Sequence, residues 1–494
     1  MSIPPKTTVL VVGGGPGGSY TASVLAREGI DTVLLEAEKF PRYHIGESML
    51  PSFRKYLRFI DCDEEFNRRG FIKKVGAAFK LRPENKAGYT DFIAAGGPDS
   101  YAWNVVRSEA DDILFQHARK SGANAFDGVK VNTLQFETAN GEATEAADGS
   151  SRPVSATYTV KETGEQGTIA FEYLVDASGR AGLLNTKYLK NRRYNTALKN
   201  VAHWAYYENA GQYEINNAPF FEALRDESGW AWFIPLHSGK TSVGIVRHQS
   251  VATERKRATG SMAEYFDDAL TQVPMLTEIL GPQGTRVTDV QTASDYSYHS
   301  ATYTLPHARV VGDAGCFIDP FFSSGVHLAL TGGLSAATTI CAAIRGDTTE
   351  EVAANWHNTK VREGYARFLL VVLAAYKQML HQKEDVLSDF HEDNFDRAFS
   401  FFRPVIQGTV DVSDKITRAE FEQTLEFLTK AFDMQLVQGK GVEDLSGADK
   451  EVFQNSEEIK GDLVAVADEF TTDVINGRVP KMERGGLTLV EVRN

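Results

Sequence analysis

The sequence predicts an α/β fold of Rossmann-like type with α+β additions. Three observations carry this: a strand–helix–strand unit with a glycine-rich turn at the N-terminus, a β-rich stretch over about 195–300, and a helical pattern beyond Gly325. A chain of 494 residues exceeds what one hydrophobic core comfortably organises. The expected division is a core over 1–340, interrupted by the β-rich 195–300 region on its substrate side, and a mostly helical region over 341–494.

The elements follow in chain order. Thr8 to Val12 is apolar and β-branched and runs into glycines, the pattern of a strand buried on both faces. Ser19 to Arg27 reads as a helix ended by Gly29, and Ile30 to Leu35 as a second buried strand. Arg107 to Gly122 is a helix with Ile113, Leu114 and His117 at helical spacing. Val129 to Phe136, Val154 to Val160 and Thr168 to Val175 are strand-like. Between the first two, Thr138 to Pro153 is a loop of Ala, Gly, Ser, Thr and Glu without apolar periodicity. In the β-rich region TSVGIVRH alternates and follows a tryptophan-rich strand. Further on, Phe421, Leu425, Leu428 and Phe432 line one face of a helix. No repeat of solenoid period is visible.

Composition narrows the function classes. A formal charge of −14, without a Lys/Arg stripe, argues against nucleic-acid binding, which needs a basic surface. Cys62, Cys316 and Cys341 stand far apart, so neither a disulfide framework nor a cysteine-built metal site is expected, in keeping with a cytoplasmic location. The first apolar run is a strand and no signal peptide is read before it. The most apolar later run, Phe368 to Tyr376, falls short of the ~20 residues of a membrane span, and none is expected.

The turn Gly13-Gly14-Gly15-Pro16-Gly17-Gly18 satisfies G-x-G-x-x-G. Gly13 allows a tight strand-to-helix turn, Gly15 lets backbone approach a pyrophosphate, and Gly18 lets helix and strand pack closely. The N-terminus of the helix that follows offers unpaired N–H groups to phosphate. Glu36, at the end of the second strand, can accept the ribose hydroxyls. Strand, helix, second strand and acid fall in order, which is what separates a dinucleotide site from a chance glycine turn.

Val310-Val311-Gly312-Asp313-Ala314-Gly315 and Tyr173-Leu174-Val175-Asp176-Ala177-Ser178-Gly179-Arg180 resemble the paired GD and DG segments of flavoprotein monooxygenases. That resemblance puts Asp313 at the ribityl chain of FAD and Arg107 near the flavin. Trp230-Ala231-Trp232-Phe233-Ile234-Pro235 matches W-x-W-x-I-P, found in flavin-dependent halogenases, although two tryptophans at i, i+2 also suit plain core packing. Asp319 to His327 looks like the halogenase loop that holds a halide on backbone N–H groups, with Ser324 and Gly325 at the binding positions. Lys74, in Lys74-Val75-Gly76-Ala77-Ala78-Phe79, falls at the family's active-site lysine, with Lys73 as its competitor. Pro41 to Ser48 is similar to the family's loop after the second strand, and the segment from Asn394 to Thr409 resembles the fungal halogenases of phenolic polyketides.

The resemblance spans Val9 to about Thr409. It implies an enzyme in which reduced FAD, oxygen and chloride or bromide yield hypohalous acid. Lys74 would receive that acid, by hydrogen bond or as a chloramine, and present it to an arene. Because no second G-x-G-x-x-G follows a strand, a separate NAD(P)H-dependent flavin reductase is implied as partner. Tryptophan halogenases carry a glutamate two residues before the halide-binding Ser/Thr; Phe322 stands here. A phenol, free or tethered to a carrier protein, is therefore expected rather than free tryptophan. The alternatives are a flavin monooxygenase that hydroxylates or epoxidises, and a flavoprotein scaffold without catalysis.

Overall fold

A glycine turn needs strands behind it. A computed structural model, which describes residues 2–492 apart from 139, 145, 146, 148 and 384–473, supplies five in parallel. Their order is Asn124–Asp127, Thr32–Glu36, Lys6–Val12, Gln166–Asp176 and Ala308–Val310. Val9, Leu10, Val11, Val33 and Leu34 are fully buried, each side chain contributing roughly 1.5–3 kcal/mol of burial. The opening strand begins two residues earlier than its apolar run, at Lys6. The first helix begins at Pro16 rather than Ser19, because proline is preorganised for a first helical turn. The helix Arg107–Lys120 starts where expected. Arg152–Val160 and Val129–Glu137 extend the sheet as antiparallel strands, and within the expected 138–153 loop Ala143–Thr144 adds a short edge strand.

The second sheet carries Arg192–Glu208, Thr241–His248, Gly229–Pro235, Phe220–Ala223 and Gly76–Lys80 as neighbours in that order. The expected β-rich stretch also contains three helices, Gln249–Ala258, Met262–Leu270 and Pro274–Leu280. They cover the outer face of the sheet, where Phe266, Leu270, Leu276 and Leu280 pack against Ala205, Val243 and Ile245. Thr241–Arg247 is consequently buried on both faces, although its alternation predicted one solvated face.

Gly325–Arg345 and Glu350–Leu380 are the long helices, the first crossing residue 340, where the sequence suggested a boundary. By length and composition Gly325–Arg345 is apolar enough to cross a membrane, a stretch the sequence reading passed over in favour of Phe368–Tyr376. Most of it is buried inside the protein as a core helix. The face formed by Phe421, Leu425, Leu428 and Phe432 and the Asn394–Thr409 segment lie outside the described residues. Beyond them, Arg478–Lys481 and Thr488–Glu491 form a hairpin. The Glu28 carboxylate accepts from the N–H groups of Gly485 and Leu487, and Arg484 pairs with Asp61.

Candidate active site

The turns at Gly13, Asp176 and Gly312 lie together at the carboxyl ends of adjacent parallel strands, where open α/β sheets bind ligands. The glycines of the first turn differ in what surrounds them. Gly13 has φ +103°, and a Cβ there would lie 2.1 Å from the Ala177 carbonyl oxygen. A Cβ on Gly18 would lie 1.9 Å from the Gly13 oxygen. At Gly15 the nearest atom would be an Arg42 guanidinium nitrogen at 3.5 Å, so the turn leaves room beside a helix N-terminus and a cation. Pro16 takes the first helical position. Glu36 is buried, its oxygens accepting from Gly14 N (2.6 Å) and Glu38 N (2.7 Å), and each retains a lone pair for a further donor. This cradle fits the pyrophosphate and ribose of FAD.

Arg107 opens its helix and is buried. Its guanidinium forks onto Asp111 (2.8 and 3.0 Å) and donates to the carbonyls of Ile45 (2.9 Å) and Gly46 (3.2 Å), fixing the 41–48 loop. Arg42 also reaches Asp111. Burial raises the carboxyl pKa of Asp313, opposed by the charges of Arg180, Arg107 and Arg192. The charges of three guanidiniums thus reach Asp313 beside the three turns.

Lys74 ends the short strand Ile72–Lys74, paired with Ala102–Asn104. It is buried, and its Nζ donates to Ser48 Oγ (2.8 Å) and the Met49 carbonyl (3.0 Å). Burial pulls its pKa down to about 7. Lys73 points to the opposite face, exposed, with its ammonium 4.6 Å from the Tyr101 ring centre.

Ser323 has φ +58°, turning the chain into the helix that begins at Gly325. Ser324 is fully buried, its hydroxyl lacks a hydrogen-bond partner, and a Cβ on Gly325 would meet nothing within 4 Å. An unoccupied hydroxyl, open space and the positive end of a 21-residue helix form an environment suited to a small anion.

The lysine and this loop are neighbours. Ser48 and Met49 hold the lysine, and three residues on, the Ser52 hydroxyl meets His327 Nδ1 (2.8 Å) in the first turn of the same helix. Phe79, five residues after Lys74, packs on Phe321 and Phe322 with ring centres 5.5 and 5.6 Å apart. Trp230 and Trp232 do share a strand face, 5.8 Å apart, and Pro235 ends that strand. Trp230 meets Phe321 edge-on at 5.1 Å, while its indole N–H donates to Tyr376. The indole N–H of Trp232 donates to Ser242 Oγ (3.0 Å).

Sequence reasoning missed two polar clusters. Glu47 is buried, accepts from Tyr206 (2.6 Å), and burial pushes its pKa up to about 7. Tyr206 also meets the exposed Tyr43 (3.0 Å), which accepts from Trp204 (2.7 Å). Asp319, Asn200 and Tyr376 form the second cluster, with burial pushing Asp319 up to about 6. Of these, only Tyr43, Glu47 and Asp319 stood inside segments the motifs had singled out.

Parallel strands whose carboxyl ends carry three adjacent turns, together with a second large sheet, define a flavoprotein of the monooxygenase-like α/β class. The family model described as Tryptophan halogenase matches residues 8–98 and 95–394. A flavin-dependent halogenase of Acremonium egyptiacum, ascD, is 56% identical over 99% of this chain and 93% of its own length. The sulochrin halogenase gedL of Aspergillus terreus is 49% identical over 99% and 94%. Among solved structures, the myxobacterial chondrochloren halogenase CndH is 28% identical, with a TM-score of 0.69, covering 86% of this chain and 97% of that one. The chain belongs to this family: it is a flavin-dependent halogenase, an enzyme of the FAD, halide and oxygen chemistry that the resemblance implied.

Proposed function

We propose that the enzyme chlorinates or brominates a phenolic small molecule at the wall formed by Lys74, Phe79, Phe321 and Phe322. Gly13, Gly15, Pro16, Gly18, Glu36, Arg107 and Asp313 hold FAD, and Ser324 with Gly325 holds the halide. The sulochrin halogenase, which shares 49% of its residues with this chain, is named for its substrate, supporting an aromatic polyketide. When bound, reduced FAD with oxygen supplies the oxidising power that turns halide into hypohalous acid.

The chain's own residues do the rest. The first-turn N–H groups after Ser324 fix the halide and repel no negative charge, since no acid stands in that turn. Lys74 Nζ, held by Ser48 and Met49, donates a hydrogen bond to the oxygen of hypohalous acid and makes the halogen more electrophilic. The arene takes the halogen, loses a proton from the same carbon, and water leaves. A phenol enriches its ortho and para carbons by itself, so Phe322 can stand where tryptophan halogenases carry a carboxylate. Aromatic rings around the arene exclude water and hold it in place.

The observation that carries this reading is the buried Lys74, fixed by two hydrogen bonds, while Lys73 faces away. Mass spectrometry after incubation with an NAD(P)H-dependent flavin reductase, chloride and a panel of phenols and tryptophan tests it. Monohalogenated phenols are expected, free or carrier-bound, and halogenation of tryptophan alone would refute the substrate class. Without the reductase, NAD(P)H should remain unconsumed in the presence of substrate. The three buried free cysteines fit a cytoplasmic enzyme.

A further inference from the structure

We infer that Tyr376 is a positioning residue for the Asp319–Gly325 loop, and that Trp230 of the W-x-W-x-I-P segment acts on halide affinity through it. Four side chains from four segments meet here: Asn200 from Arg192–Glu208, Trp230 from Gly229–Pro235, Tyr376 from Glu350–Leu380, and Asp319 from the loop. All four are buried.

Donor and acceptor rules fix the direction of the network. An indole N–H and an amide NH2 can only donate. Trp230 Nε1 and Asn200 Nδ2 both donate to the Tyr376 oxygen, each at 2.8 Å. That fills the phenol's acceptor capacity and turns its own hydrogen to Asp319 Oδ2 at 2.6 Å, an oxygen that also accepts from Asn200 at 2.9 Å. The other Asp319 oxygen takes the Phe321 N–H (3.1 Å), and the Asp319 N–H donates to Ser297 Oγ (2.9 Å). Both sides of the aspartate are thereby committed, and the chain leaves it in one direction.

What lies five residues on gives the network its consequence. Ser324 and Gly325 open the long helix one residue, Ser323, beyond the single turn Pro320–Phe322, whose start Asp319 caps. Trp230 braces that turn a second time, with its ring edge-on to Phe321. Hydrogen bonds to an anion weaken steeply with misalignment, so a loop released at Asp319 offers the halide a poorer set of N–H groups. Phenylalanine at 230 would keep the ring contact and lose the donor, which gives the indole nitrogen a task that core packing alone does not require.

This rests on the reading of Ser324 and Gly325 as the halide site, and the test separates the two. Chloride is titrated in steady-state halogenation with a flavin reductase and excess reduced FAD, and FAD affinity is measured separately by flavin fluorescence. For Tyr376→Phe the chloride KM should rise roughly tenfold, the loss of about one well-placed hydrogen bond. Saturating chloride should restore the wild-type rate, with FAD affinity unchanged. Trp230→Phe leaves the Tyr376–Asp319 bond in place and should raise KM by a smaller factor; it also serves if Tyr376→Phe fails to fold. Gly325→Val, which fills open space, should raise KM most. If Gly325→Val raises chloride KM while folded Tyr376→Phe and Trp230→Phe leave it unchanged, the network plays no part in halide binding and the inference falls. If Gly325→Val also leaves KM unchanged, the halide site itself is misplaced and the inference falls with it.

Discussion

The two ends of the proposed active site are built by different means. At the nucleotide end a single continuous turn, Gly13 to Gly18, does the work with backbone, and its shape follows from which positions lack a side chain. At the halogen end Lys74, Trp230, Asp319 and Tyr376 come from four separate stretches, and hydrogen bonds between side chains hold them in place. A backbone site can be read locally and tolerates little substitution. A side-chain site exists only after folding, and can be dismantled piece by piece.

Substitutions in the glycine turn probe the first half of this contrast. Gly18→Val should prevent folding, since its Cβ would overlap the Gly13 carbonyl; soluble expression and circular dichroism report it. Gly15→Val, whose Cβ would meet only the Arg42 guanidinium at ordinary contact distance, should fold normally and lose FAD affinity by at least about a hundredfold, roughly 3 kcal/mol, measured by flavin titration. Equal behaviour of the two variants would erase the distinction between packing and ligand glycines.

On the halogen side, Lys74→Ala should lower halogenation by about 10²–10⁴ and leave FAD affinity unchanged. Lys73→Ala should remain active, because its ammonium lies against Tyr101 on the other face. The reverse result would move the active lysine by one position. Lys74 also makes a pH prediction. Its pKa is about 7 in the folded chain against 10.5 when unperturbed, so the unfolded chain binds more protons between those values and stability should rise with pH across that window. Lys74→Met should flatten the slope and gain stability at pH 7, by on the order of 5 kcal/mol at most, in denaturant titrations.

The smallest effect belongs to Glu47. Its pKa stands at about 7 against 4.5. The folded chain therefore binds the extra proton between these values, and stability falls as pH rises through them. Glu47→Gln should remove this decline, giving a gain of about 1–3 kcal/mol above pH 7. An unchanged slope would mean that Tyr206 and Arg107 compensate its burial.

The same contrast explains what the sequence showed. Strand, glycine turn, helix and acid lie within 36 residues, so this part of the fold was legible to within two or three residues. Lys74, Ser324, Gly325, Trp230 and Trp232 were visible only through resemblance to halogenases, since no spacing along the chain announces their meeting. The Asn200–Tyr376–Asp319 cluster was invisible because its members lie up to 176 residues apart. The helices over 249–280 were missed because each is only 7–10 residues long, too short for a helical period to stand out, although local signals existed. Ser261 caps Glu264 N, and Pro274 occupies a first turn.

The hairpin at residues 478–491 ties down the far side of the 384–473 stretch, just as Gln382 ties its near side through Leu224. A stop codon at 384 would therefore reach back into the nucleotide half: it takes away Ile475, Leu487 and Leu489, all buried in the same core cluster as Val9 and Val11 of the first strand, and uncovers part of the helix Gly325–Arg345.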